Sequence, residues 1–208
     1  LGLQGHAAEH LGDGGRDSYP IELSYRHLFE YDLIPFKACI KRGGSKSIMT
    51  AYNSVNGKSC SMHGFLLNDI LKNTWGFKGF VISDAGAVGG ANVLHNTSRS
   101  YAESGRLAID NGMDVIFQTS IDHYKLFNPN FLDSTVNSKQ FDDAVSRVLR
   151  AKFELGLFEH PYIDEKVFND AEKKNTKQLA YRAAVESIVL LKNEKNILIN
   201  VTGIINSK

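Results

Sequence analysis

Between residues 47 and 154 the spacing of apolar residues switches repeatedly between two periods, and this alternation limits the fold more than any single motif does. Ser47-Ile-Met-Thr-Ala-Tyr52 reads as a short strand, closed by Asn53 and the turn dipeptide Asn56-Gly57. Leu66, Leu67, Ile70 and Leu71 share one helical face, which ends at Trp75-Gly76. Residues 79–84 follow as a strand, with Phe80, Val81 and Ile82 too short a run for a helix of its own. Ala102, Gly105, Ala108 and Ile109 mark a second helix that stops at Asn111-Gly112, before a strand at Asp114-Val-Ile-Phe117. Phe141, Val145, Val148, Leu149 and Phe153 mark a long amphipathic helix, with Asn137 as its N-cap and Gln140 three residues on. Gly156 and Pro161 end it. Strand, helix, strand, helix, strand, helix demands a parallel sheet with crossover helices, so the expected class is α/β.

The flanks are less regular. Residues 1–23 show no periodicity, and Gly12-Asp-Gly-Gly15 marks a loop. Ser24 is a good N-cap for a helix through Leu28 and Tyr31; Pro35 breaks or kinks it, Phe36 and Ile40 resume it, and Gly43-Gly44 ends it. Residues 160–175 are polar and charged and fit a linker. A helical run from Leu179 to Leu191 then leads to an apolar segment, Ile197 to Ile205, that reads as an unfinished strand. The expected division is a first domain over 1–160, a linker over 161–175 and the start of a second domain over 176–208. With no initiator methionine and that unfinished strand, the chain reads as a fragment.

Composition excludes several classes. Twenty-four basic against 23 acidic residues give a formal net charge of +1, which argues for neither nucleic acid nor a membrane surface as partner. No apolar run approaches the ~18–20 residues of a membrane span. Cys39 and Cys60 allow one bridge but no disulfide framework, and the sequons at Asn96 and Asn200 matter only in a secreted chain. Location is left open, with a secreted or periplasmic one compatible.

Chemistry is indicated first at Asp84. It ends a buried strand and precedes Ala85-Gly86-Ala87, the position where α/β barrels and open sheets place reactive groups. Taken alone, the local pattern better suits an aspartate that only caps the following segment. His6-Ala-Ala-Glu9-His10 fits H-x-x-E-H, an inverted zinc-peptidase pattern, yet it runs straight into Leu11-Gly-Asp-Gly-Gly15, poor ground for the helix that chemistry needs. Gly86-Ala-Val-Gly89-Gly90 departs from G-x-G-x-x-G and makes a weak dinucleotide signal. Neither a metal nor another cofactor is expected.

Three segments in order carry a resemblance: Met49-Thr-Ala-Tyr52-Asn53-Ser-Val-Asn56-Gly57, Leu66-Leu67-Asn-Asp69-Ile-Leu71, and Trp75-Gly-Phe-Lys-Gly-Phe-Val-Ile-Ser-Asp84. With Asp143 to Leu149 and Leu179 to Asn193, they resemble glycoside hydrolase family 3 from about residue 24 to 198. The resemblance implies the latter part of a (β/α)8 TIM-like barrel, followed by the beginning of an α/β sandwich domain. It implies a retaining, exo-acting β-D-glucosidase or β-D-xylosidase that takes oligosaccharides or aryl and alkyl β-glycosides. Asp84 takes the place of the family nucleophile; Tyr52, Met49 and His6 match positions that line the sugar site.

This chain departs from the family pattern at three points. Where the family has Lys-His-Phe, this chain has Gly5-His6-Ala7, so only the histidine carries over. Ala85 follows the nucleophile, where many members have a bulky residue. The acid/base glutamate is expected beyond residue 208, and the upstream acid and arginine that hold the sugar before residue 1. The missing lysine also fits a truncated or decayed copy that does no chemistry.

Overall fold

The computed structural model describes residues 3–4, 20–118, 121–128, 135–162 and 170–192. The chain divides into two units, Leu1–Glu159 and His160–Lys208. The first unit is built on a parallel sheet whose strands follow one another in chain order, β1 (Leu3–Gln4), β3 (Ser47–Thr50) and β6 (Phe80–Ser83). Ser47 to Thr50 lie opposite Phe80 to Ser83 residue for residue, and Leu3 and Gln4 lie opposite Ile48 and Met49. The α/β expectation therefore holds.

Alternation along the strands decides what is buried. Ile48 and Val81 point into the core, where they join Leu67, Ile70, Leu71 and Trp75. Three of these lie on a π-hydrogen-bonded helix, Phe65–Thr74, whose last turn is closed by the Trp75 N–H to the Ile70 carbonyl. Val88, Ala108 and Ile109 add the contribution of α3 (Ala87–Val93) and α4 (Tyr101–Asp110). The predicted helix after Ser24 forms as α1 (Tyr25–His27), a π turn (Leu28–Asp32) and α2 (Leu33–Lys41). Ser24 Oγ accepts the His27 N–H, as an N-cap should. The wide turn just before Pro35 gives the ring room, so the chain widens there instead of breaking.

Two strand expectations need correction. Asp114–Phe117 is not a strand but one parallel bridge, Ile82 to Val115. Side chains occupy ladder positions at its ends: the Asp114 carboxylate accepts the Val81 N–H at 2.7 Å, and Ser83 Oγ accepts the Phe117 N–H at 2.9 Å. The first strand stops at Thr50, short of Tyr52. Beyond it the chain forms a hairpin of β4 (Ser54–Val55) and β5 (Lys58–Ser59), with β2 (Pro20–Ile21) parallel to β4. Asn56 and Gly57 both take positive φ (48° and 76°), the geometry of a type I′ turn. Cys39 and Cys60 remain thiols, so the bridge left open by the sequence is not formed.

The long helix α5 (Ser138–Glu154) starts at the expected cap, with Asn137 Oδ1 accepting the Gln140 N–H. It is tied to the start of β6 by ions. Lys72 Nζ lies 2.7 Å from Asp114 and 3.5 Å from Asp143; Arg147 pairs with Asp143 at 2.7 Å and donates to the carbonyls of Phe77 and Gly79. Burial pushes the Asp114 carboxyl up from its usual range, with the Lys72 ammonium pulling it back. Partial burial opposes the charge of Asp143 too, but its Arg147 hydrogen bond and the two nearby cations outweigh that and hold it low. The apolar stripe of α5, Phe141, Val145, Leu149 and Phe153, is exposed. In the second unit α6 runs Asp170–Glu186, so the helix begins inside the stretch expected to be linker. The unfinished strand expected at 197–205 lies outside the described residues.

Candidate active site at the strand ends

Asp84 is the first residue beyond β6, and its N–H donates to the Thr50 carbonyl at 3.2 Å, extending the β3–β6 pairing past its last ladder residues. Continuing the strand alternation puts it on the face of Phe80 and Ile82, away from buried Val81 and Ser83. Its carboxylate is oriented locally, since Asp84 Oδ1 accepts the Ala85 N–H at 2.7 Å. A turn follows: the Ala87 N–H returns to the Asp84 carbonyl, and Gly86 takes φ +77° while donating to the Phe117 carbonyl. A side chain at Gly86 would strain that left-handed backbone, so glycine there allows α3 to start three residues after the carboxylate. Ser83, fully buried, fixes β6 from the other side through its own N–H to the Val115 carbonyl. Asp84 is thus half-buried on a backbone held from both neighbouring strand positions.

Tyr52 lies two residues past the end of β3, and with Ala85, Gly86, Gly89, Gly90, Tyr101 and His123 it lines a cavity of about 400 Å³. The turn after Asp84 and Tyr52 therefore share one cavity. Met49 is placed differently: paired with Ile82, it lines an apolar gap with Ile48, Leu67 and Trp75. His6, Glu9 and His10 lie outside the described residues, although Leu3–Gln4 pair with Ile48 and Met49. His95 has no metal-ligand spacing in the sequence. Its Nε2 lies 2.6 Å from the Tyr52 carbonyl, a backbone partner that no side-chain pattern signals. The carboxyls with shifted proton affinity, Asp114 and Asp143, cluster near the start of β6 and serve packing; Asp84 is at the other end.

Comparison with known proteins assigns the family. The glycosyl hydrolase family 3 N terminal domain matches residues 4–151, and the chain belongs to that family. It is 35% identical over 187 residues to a putative beta-xylosidase of Formosa agariphila, covering 89% of this chain and 24% of that protein. It is 33% identical over 193 residues to a periplasmic beta-glucosidase of Salmonella typhimurium, covering 89% of this chain and 25% of that one. A β-glucosidase structure from Erythrobacter marinus superimposes with a TM-score of 0.76 at 32% identity, over 94% of this chain and 26% of that chain. The chain spans about a quarter of the length of the curated relatives it matches.

Proposed function

We propose that these residues supply the nucleophile side of the active site of a retaining, exo-acting β-glycosidase that removes glucosyl or xylosyl residues. The observation that carries this is Asp84: a carboxylate at the end of a parallel strand, oriented by the Ala85 N–H, beside a cavity lined by Tyr52, within the stretch the family matches. Asp84 attacks the anomeric carbon as the leaving oxygen is protonated by a second carboxyl. The glycosyl–Asp84 ester is then opened by water, which that same second group deprotonates. The two carboxyls of such a pair stand about 5–5.5 Å apart; the second comes from outside these 208 residues. Tyr52 contacts the sugar, and the family resemblance gives Met49 and His6 as further sugar-site positions. The sheet β1-β3-β6 and its helices form part of a (β/α)8 barrel, and residues 176–208 begin an α/β sandwich domain. The substrate is an oligosaccharide or an aryl or alkyl β-glycoside, reached without metal or nucleotide.

Asp84→Ala in the full-length protein tests this. The variant should lose hydrolysis of aryl β-glucosides and β-xylosides. Added azide should restore turnover by attacking from the vacated face, giving the α-glycosyl azide. Hydrolysis at the wild-type rate by Asp84→Ala would refute the assignment.

A further inference from the structure

The β3–β6 ladder ends at Thr50, and beyond it the Tyr52 carbonyl is held from the loop after α3. A carbonyl oxygen can only accept, so at 2.6 Å His95 Nε2 carries the hydrogen and donates it to Tyr52. The loop that presents the imidazole is itself fixed to α3. Both the N–H and the hydroxyl of Thr97 donate to the Ala91 carbonyl (2.9 and 3.0 Å), and Asn92 Nδ2 donates to the Ser98 carbonyl at 2.8 Å. The His95 N–H donates to the Gly90 carbonyl, and Asn96 takes φ +54°, a backbone state that a non-glycine residue keeps only where its surroundings impose it.

These bonds close a ring. It leaves Asp84 along the chain, passes through α3 to His95, crosses to Tyr52, and returns through the Thr50–Asp84 hydrogen bond. We propose that His95 is a positioning residue that holds Tyr52 in place relative to Asp84 for the reacting sugar. This rests on the reading of Asp84 and Tyr52 given above. Displacement of a substrate-positioning group by about 1 Å can cost on the order of 10²-fold in rate.

The test is a double-mutant cycle in the full-length protein on an aryl β-glycoside. His95→Leu should lower kcat by about ten- to a hundredfold with a smaller change in KM, and His95→Gln, which keeps a side-chain N–H donor, should recover most of it. In a Tyr52→Ala background His95→Leu should cost less than about threefold more, because the group it acts through is gone. If His95→Leu does not fold, His95→Asn, whose amide is too short to reach the carbonyl, replaces it in the same cycle. An equal loss in both backgrounds, or no loss in the wild type, overturns the role of His95. The wild-type protein is also treated with a 2-deoxy-2-fluoro-β-glycoside. Failure to label Asp84 refutes the reading of the site and this inference with it; labelling together with an additive cycle refutes the inference alone.

Discussion

Replacing Lys72 by Met should destabilise the first unit sharply, although the apolar core keeps nearly all its volume. The Lys72 and Asp114 side chains are 6% and 1% exposed, and their charged atoms lie 2.7 Å apart. Removing the ammonium leaves a carboxylate enclosed without that cation, a change that costs about 3–5 kcal/mol where one partner of a buried pair is lost. At roughly 2–4 °C per kcal/mol for a unit of this size, the thermal midpoint should fall by about 6–20 °C. Adding Asp114→Asn removes the stranded charge while its amide oxygen can still accept the Val81 N–H, so the double variant should recover more than half of the loss. The single variant also has a pH signature. Burial raises the Asp114 carboxyl, so on acidification the folded state takes up the proton before the unfolded chain does. The deficit of Lys72→Met is therefore fully present at neutral pH and shrinks as pH falls into the acid range. Thermal melts followed by circular dichroism at several pH values measure all three effects. A loss below about 1 kcal/mol, or a double variant no better than the single, would refute the reasoning.

Three further outcomes follow from packing and charge. Burial and the Lys58 charge hold the His63 imidazole below its usual affinity for protons, so stability is full above about pH 6.5 and declines as pH falls below it; melts from pH 7.5 to 5 should show a smaller decline in His63→Gln. A Cβ at Gly105 would fall on the Leu126 carbonyl, whereas one at Gly90 meets only Leu94 Cδ1 at 3.6 Å; Gly105→Ala should cost about 1–3 kcal/mol and Gly90→Ala should gain about 0.4–1 kcal/mol in denaturant titrations. The 208 residues expressed alone should be poorly soluble or oligomeric because Phe141, Val145, Leu149 and Phe153 are exposed on one helix; a sharp monomer peak in gel filtration with cooperative unfolding would count against this.

What could be read in the sequence was whatever depends on local spacing. The short apolar run Phe80 to Ile82 located β6 and the carboxylate beyond it, and Ser24 and Asn137 cap the helices the sequence assigns to them. Features set by tertiary partners were not legible. Helix α3 was missed because Gly89 and Gly90 depress helix propensity, yet a Cβ at Gly89 would press on the Tyr101 ring. The segment 114–117 has a strand's composition, but Ser83 Oγ and the Asp114 carboxylate take over its ladder positions. The turn Asn56-Gly57 was recognisable while its two-residue strands were too short to show a period. His95 is the extreme case, because its partner is a peptide carbonyl 43 residues away in the chain.

The central claim is that Asp84 forms a covalent bond to the sugar. Full-length protein would be incubated with a 2-deoxy-2-fluoro-β-glucoside or β-xyloside bearing a good leaving group, then digested and mapped by mass spectrometry. The fluorine destabilises the oxocarbenium-like transition states of both steps, and the leaving group lets the ester accumulate. The account predicts one labelled peptide carrying the fluorosugar on Asp84. A label on another carboxylate, with Asp84 unmodified, would contradict it.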